Sequence, residues 1–451
     1  MKKNLFLQVL VGWMMQSGCT NNPIEPNPPL QGEIAWDKSY GGSSWDDLRT
    51  IAVAKDGGYL LGGKSASSIS GDRTTAGFGG EDYWVIKIDV NGNRLWDKTL
   101  GGSRSDELTC ILATKDGGFL IGGNSQSGPS GNKTSGYDDR LDMNYWVIKL
   151  NASGDKLWEK TYGDISGDFL NTMVETKGGG YLLGGWTNLP ESGKLKGGSD
   201  YWIVKTDAQG DKIWDKSFGG DDSETLRSIV VTADNSFLLG GSSSSGISGD
   251  KSESSDLGGD FWVIKITSDG NKVWDKTYAS PRNQSLMGIT TATDGGFLLG
   301  GLTNVFVSDA LGTLVNRFFD YWVVKIDEQG NKEWDKRFGG DQNDYQLCTP
   351  ISYPGGFLLG GYSFSGISGN KTSGTQGPVP AEDFWVINID SKGEKVWERS
   401  FGSEGNTDAM RGMVPASDGG YILAGESVSP KSETKTAENK GGSDFWLVKI
   451  K

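Results

Sequence analysis

The 451-residue chain contains no histidine and only three cysteines. Without histidine there is no Ser-His-Asp or Cys-His arrangement for nucleophilic catalysis and no imidazole ligand for a metal. No Walker loop or dinucleotide fingerprint occurs either, because the glycines punctuate strand-like runs and open no helix. Past residue 18 the sequence shows no heptad, no helical periodicity and no apolar run of membrane-spanning length. Positive charge is scarce as well. Lys and Arg total 44 against 58 Asp and Glu, a formal charge of −14 that becomes −16 once residues 1–18, with Lys2 and Lys3, are set aside. So acidic a chain repels phosphate backbones and anionic headgroups, so nucleic acid and bare lipid surfaces are not expected partners.

What the chain has in abundance is glycine, 70 residues, and aromatic side chains, 11%. Many tight turns with many large packing groups fit a turn-rich all-β protein. The heptapeptide GGYLLGG at 57–63 returns with small edits from Gly117, Gly179, Asn235, Gly295, Gly355 and Gly419. Tryptophan keeps the same period. One set is Trp36, Trp96, Trp158, Trp214, Trp274, Trp334 and Trp397; the other is Trp84, Trp146, Trp202, Trp262, Trp322, Trp385 and Trp446. A period near 60 residues marks a propeller or a solenoid.

Each unit reads as four short strands; in the first they are LRTIAVAK, GYLLGG, DYWVIKID and NRLWDKTL. Tight turns of the DGG and VNG kind join strand one to two and three to four, and longer irregular segments make the other connections. The second strand is apolar throughout, as expected of a strand covered on both faces. EIAWDKSYGG near the start is a fourth strand without its first three, and DFWLVKIK at the end is a third strand without its fourth. Joined, they complete a seventh blade. The expected fold is a seven-bladed β-propeller of four-stranded antiparallel blades over residues 33–451, closed by pairing of the N-terminal strand with the C-terminal blade. Both tryptophan sets are expected as wedges between blades, each burying roughly 150–250 Å². Cys110 and Cys348 hold equivalent places in the second and sixth units, too far apart round such a ring to form a disulfide, and are expected as small buried side chains.

The first 32 residues are a different kind of text. Lys2 and Lys3 precede an apolar run, then QSGCT. Residues 1–18 thus resemble a bacterial lipoprotein signal peptide, with Cys19 the acylated first residue and Gln16 where that motif usually has an aliphatic one. The resemblance implies a lipid-anchored protein of a Gram-negative outer membrane, on its periplasmic or cell-surface face, held to the membrane by the anchor alone. Residues 19–32 read as a Pro-rich tether. The unit YGGSSWDDLRTIAVAKDGGYLLGG…DYWVIKIDVNGNRLWDKTLGG is similar to the repeats of bacterial seven-bladed propellers, and its double glycine and later tryptophan resemble the kelch repeat. Kelch-type galactose oxidases bind copper partly through histidine, so that chemistry is not implied here.

Candidate function falls on the face carrying the irregular loops. Asp46, Asp106, Asp168, Glu224, Asp344 and Asp408 stand just ahead of the first strand in six units, with Gln284 in the fifth. Two readings are open: a carboxylate collar that attracts Ca²⁺, or acids that each accept N–H groups of their own loop. No other cofactor is suggested. The outer-strand pairs, such as Asp97-Lys98 and Glu159-Lys160, are expected as solvated edges that discourage sheet addition. The turns at Ser70, Ser130, Ser248 and Ser368 are expected within the long loops, with a repeated ligand contact as the alternative. Departures from the template single out Trp45, Trp186, Phe306, Phe318, Phe319, Tyr362 and Phe364 as aromatic candidates for a glycan or a protein partner; they are equally able to be loops packing on one another. A monomeric, non-catalytic envelope propeller is expected, the alternative being a glycan hydrolase or lyase working through carboxylates.

Overall fold

A computed structural model describes residues 31–451 except 137–141, 164–166, 189–196, 256–257, 281–282, 309–313, 376–380 and 404–406, and the side chains of 305–308 and 314–317. The leader, Cys19, most of the tether and the Phe306 side chain lie outside the described residues.

Strands form from the apolar alternation and end at glycine turns, and they assemble into seven separate antiparallel sheets. The first blade runs Asp46–Val53, Tyr59–Ser65, Asp82–Ile88, Arg94–Leu100 in sheet order, from the channel outward. The last blade takes Asp408–Pro415, Tyr421–Ser427 and Asp444–Ile450 from the end of the chain and Ile34–Tyr40 from its beginning. Trp36 pairs with Lys449 and Tyr40 with Phe445, and Glu33 and Lys451 exchange backbone hydrogen bonds of 2.9 and 3.0 Å. Ring closure is therefore a ladder of ordinary strand pairs that gives the last blade its fourth strand.

The double glycine answers two different contacts. A Cβ on Gly62 would lie 2.6 Å from Ile111 Cδ1 and 2.9 Å from Leu108 Cδ2 of the next blade. On Gly63 it would strike the Asp47 carbonyl at 2.0 Å, where a bulge shifts the register between the first two strands. The bulge leaves Arg49 without a cross-strand partner, and the same shift recurs at Arg227 and Arg411.

The two tryptophan sets differ. Those of the third strand are buried, and each packs, tilted by 42–54°, on a ring of the preceding blade: Phe445–Trp84, Tyr83–Trp146, Tyr145–Trp202, Tyr201–Trp262, Phe261–Trp322, Tyr321–Trp385 and Phe384–Trp446, with centroids 4.6–5.0 Å apart. Seven such contacts close the circle and form the core of every junction. Those of the fourth strand are half-buried, not full wedges. They cover the hairpin glycine of the next blade, as Trp36 does Gly92, whose φ of +77° and lack of a Cβ are both required there.

Except in blade five, where Asp335 is exposed, the outer-strand acid is not a solvated edge. Asp97 is buried, accepts the Trp84 indole N–H at 3.2 Å, and takes Thr74 N of the long loop at 3.0 Å. Asp215, Asp275, Asp335 and Asp37 accept their indoles in the same way. In blades two and six the longer Glu159 and Glu398 bond the loop and Lys156 or Lys395 instead of the indole, and the Trp146 and Trp385 indole N–H groups are left without a partner. Blade six departs again at Pro350, where the inner strand splits into Asp344–Gln346 and Ile351–Tyr353 because proline has no N–H to donate. Cys110 and Cys348 are buried free thiols, as expected.

Candidate functional site

Each acid singled out ahead of a first strand is buried and engaged within its own blade. Asp46 accepts Gly42 N at 2.7 Å and Ser67 Oγ at 2.9 Å, together with Ser65 Oγ. Asp106, Glu224, Asp344 and Asp408 repeat the pattern with Gly102, Gly220, Gly340 and Ser403 N and with Ser127, Ser245, Ser365 and Ser429. Asp168 is buried at the same place. Gln284 keeps the loop closed by exchanging two hydrogen bonds with Ser280. Among the described residues no three or more acidic, Cys or His side chains gather as they would around a metal ion.

The turns at Ser70, Ser130, Ser248 and Ser368 pin the neighbouring loop through Ser43, Ser103, Asp221 and Asp341 N. Their last residue was not foreseen as a core group. Arg73, Lys133, Lys251 and Lys371 turn inward and are buried, as is Lys435 in blade seven. The lysines lie over the buried tryptophans, 5.1 Å for Lys133 on Trp146 and 5.6 Å for Lys371 on Trp385. Arg73 donates to Ser65 Oγ at 2.6 Å, and that hydroxyl donates to Asp46, so cation and acid are joined through serine.

In every blade but the second, where the residue is Asn144, a second buried acid stands on the third strand, and it meets the first-strand acid of the next blade except at Gln284. A methyl on Gly101 would be 1.9 Å from Asp82 Oδ1 and 3.1 Å from Asp106 Oδ2, and Gly219 and Gly402 are held likewise between Asp200 and Glu224 and between Asp383 and Asp408. Burial and the neighbouring carboxylate push Asp82 up to about 6 and Asp320 up to about 7. Burial does the same to Asp408, to about 7, and to Asp444, to about 6. At two of the seven junctions an amide, Asn144 or Gln284, replaces one of the two acids.

The variable residues gather at the mouth of the channel, on the irregular face. The residue after the first-strand acid pairs across the sheet with one on strand two: Asp47 with Lys64, Glu107 with Asn124, Phe169 with Trp186, Thr225 with Ser242, Ser285 with Leu302, Tyr345 with Tyr362, Ala409 with Glu426. Contacts between blades join these pairs into a rim. Lys64 bridges Glu81 and Glu107 at 2.7 and 3.3 Å, Asn124 accepts Leu170 N, Ser242 accepts Leu286 N, and Arg411 lies 5.9 Å from the Tyr362 ring. Burial works against the Lys64 charge, but Glu81 and Glu107 outweigh it and hold its pKa above the usual lysine value. Burial, with Glu426 nearby, raises Asp47 and Glu382, and burial pushes Tyr362 up to about 12, so its phenol stays protonated at neutral pH.

Of the aromatic candidates, Trp186 stacks on Phe169 at 4.1 Å and 14°, and Phe169 was not singled out beforehand. Tyr362 and Phe364 join Tyr345 in a cluster with centroids 5.2–6.2 Å apart, and Phe319 reaches it at 5.6 Å. These loops therefore pack on one another and still leave their rings half-exposed. Phe318 is half-buried beside them in blade five. Trp45 stands apart, 58% exposed against the Gly442 backbone on the same face. Phe169 and Tyr345 carry no motif; only the cross-strand register shows them. Arg227 and Arg411 were likewise illegible, because the bulge alone determines that they line the channel.

No family model matches the chain, and no curated protein sequence matches it. Among solved structures it is similar to an ulvan lyase of a new polysaccharide lyase family, at 10% identity over 91% of this chain and 96% of that one, with a TM-score of 0.49. The WD40 domain of Neurospora crassa Pan2 matches at 9% identity over 90% and 89%, with a TM-score of 0.45. A protein of unknown function from Bacteroides caccae matches at 12% identity over 67% and 93%, with a TM-score of 0.37. At such identities no activity carries across, and the assignment of the chain as a seven-bladed β-propeller rests on its own seven sheets.

Proposed function

We propose that the chain is a binding propeller of the cell envelope, anchored by lipid on Cys19 and presenting the mouth of its channel to a glycan or protein partner. One observation carries this reading. The carboxylates that repeat in six of the seven blades serve the fold, whereas the residues that differ from blade to blade meet on one rim. The kelch-like repeat is scaffold in this view, and the protein acts as a monomer without turnover.

Two measurements test it. Trp186→Ala and Tyr362→Ala should each abolish binding to a partner found by glycan or protein array while leaving Tm within about 2 °C. Turnover of a polysaccharide that Glu382→Gln or Glu426→Gln removes would replace binding by hydrolysis or elimination. For the anchor, Cys19→Ser should release the protein from the membrane fraction and end labelling by radioactive palmitate; unchanged labelling would refute lipidation at that residue.

A further inference from the structure

Two junctions of the ring share an aromatic ring and an arginine and differ in whether a carboxylate joins them. Between blades six and seven, Arg411 lies over Tyr362 and pairs with Glu426 at 2.5 Å. Between blades three and four the corresponding positions hold Trp186, Arg227 and Ser242. Ser242 is spent on Leu286 N at 3.2 Å and carries no charge. No carboxylate among the described residues lies within ion-pairing distance of Arg227, which is exposed, whereas Arg49, the third arginine at this bulge, lies 3.9 Å from Asp47. One junction thus contains its own aromatic–guanidinium–carboxylate set, and the other presents the first two members without the third.

We infer that the blade three–four junction binds an acidic sugar, whose carboxylate takes at Arg227 the place that Glu426 takes at Arg411 and whose ring lies on the Phe169–Trp186 pair. The assignment rests on the mouth being the ligand face. A near-parallel pair of rings offers a flat apolar platform suited to the C–H face of a pyranose. A planar guanidinium holds a carboxylate through two parallel hydrogen bonds, which fixes the orientation of the sugar as well as its charge. The half-buried Thr225 and Ser285 lie along the same rim and give the sugar hydroxyls neutral partners.

The test is isothermal titration of the lipid-free full chain with oligogalacturonate and oligoglucuronate and with their methyl esters. The acids should bind, and the esters, which keep the ring and lose the charge, should bind about tenfold more weakly. Arg227→Gln should bring the acids down to the level of the esters, and Arg227→Lys should recover part of the loss. Ser242→Glu, which supplies Arg227 with an internal carboxylate, should abolish binding of the acids with Tm unchanged. Failure of both acids to bind overturns the assignment. So does equal binding of acid and ester, although the mouth survives as the ligand face if Trp186→Ala weakens both. Binding that neither Trp186→Ala nor Arg227→Gln alters places the ligand elsewhere and overturns the mouth as well.

Discussion

Blade five and blade four perform the same task with different electrostatics. Blade four buries Glu224 and Lys251 in one network, with Ser243 bonding both. In blade five the serine-rich loop and its inward lysine give way to two long strands, Phe297–Ser308 and Leu314–Ile326, and the acid becomes Gln284. Asp320, the other acid of blade five, meets a different cation, Arg337 on the fourth strand at 3.3 Å. Losing the cation and the acid together is what desolvation demands, because a buried charge without its partner costs several kcal/mol whereas a neutral amide still closes the loop. In blade five the buried acid and its cation change together.

The largest effect should come from breaking one set in half. Lys251→Met is expected to cost about 3–5 kcal/mol in urea unfolding, because Glu224 is left uncompensated. Adding Glu224→Gln, which copies the state of blade five, should restore most of it; additive losses would refute the coupling. Inserting the acid where the cation is missing should cost less. Gln284→Glu is expected to lose about 1–3 kcal/mol at neutral pH and much less at pH 5, where the new carboxyl takes up a proton.

The paired acids between blades predict a pH dependence of known sign. Asp320 and Asp408 are pushed up to about 7, and Asp82 and Asp444 to about 6, from an ordinary 3.8. The folded state then binds protons more tightly than the unfolded chain, so stability falls as pH rises from about 4 through 7 and levels off above. Melting at pH 5 and pH 8 should show this loss, and Asp320→Asn should reduce it by on the order of 1–2 kcal/mol. A melting temperature that rises toward pH 8 would contradict the paired arrangement. Two smaller effects complete the comparison. Arg337→Thr takes the cation from buried Asp320 and should cost about 1–2 kcal/mol at pH 8 and little at pH 5, where Asp320 carries a proton. EDTA, or millimolar Ca²⁺, should leave Tm unchanged, since Asp46 and its counterparts already have hydrogen-bond donors in their own loops; a rise of several degrees with Ca²⁺ would revive the cation collar.

Much of the architecture was legible from spacing. Trp84 and its six counterparts mark third strands, and GGYLLGG marks second strands, because local patterning and turn chemistry both point to the same element. Trp186 and Tyr362 stood out because they break a template that the other blades keep. Their partners Phe169 and Tyr345 did not, since the residue after the first-strand acid varies in every blade. Asp97 was misread as a solvated edge and Lys133 was not foreseen as a core group, because a charge in a strand or turn is usually solvated. Here the long loop of each blade folds over them, and its own N–H and hydroxyl groups replace water.

The sequence by itself determined seven equivalent blades and their closure, because each blade meets the same kind of neighbour and so calls for the same glycines and indoles. The tertiary structure alone decided which charges are buried and which side chains share the mouth. Those relations join residues some 60 positions apart across a junction, where register, a bulge and the angle between blades act together, and no local pattern records them.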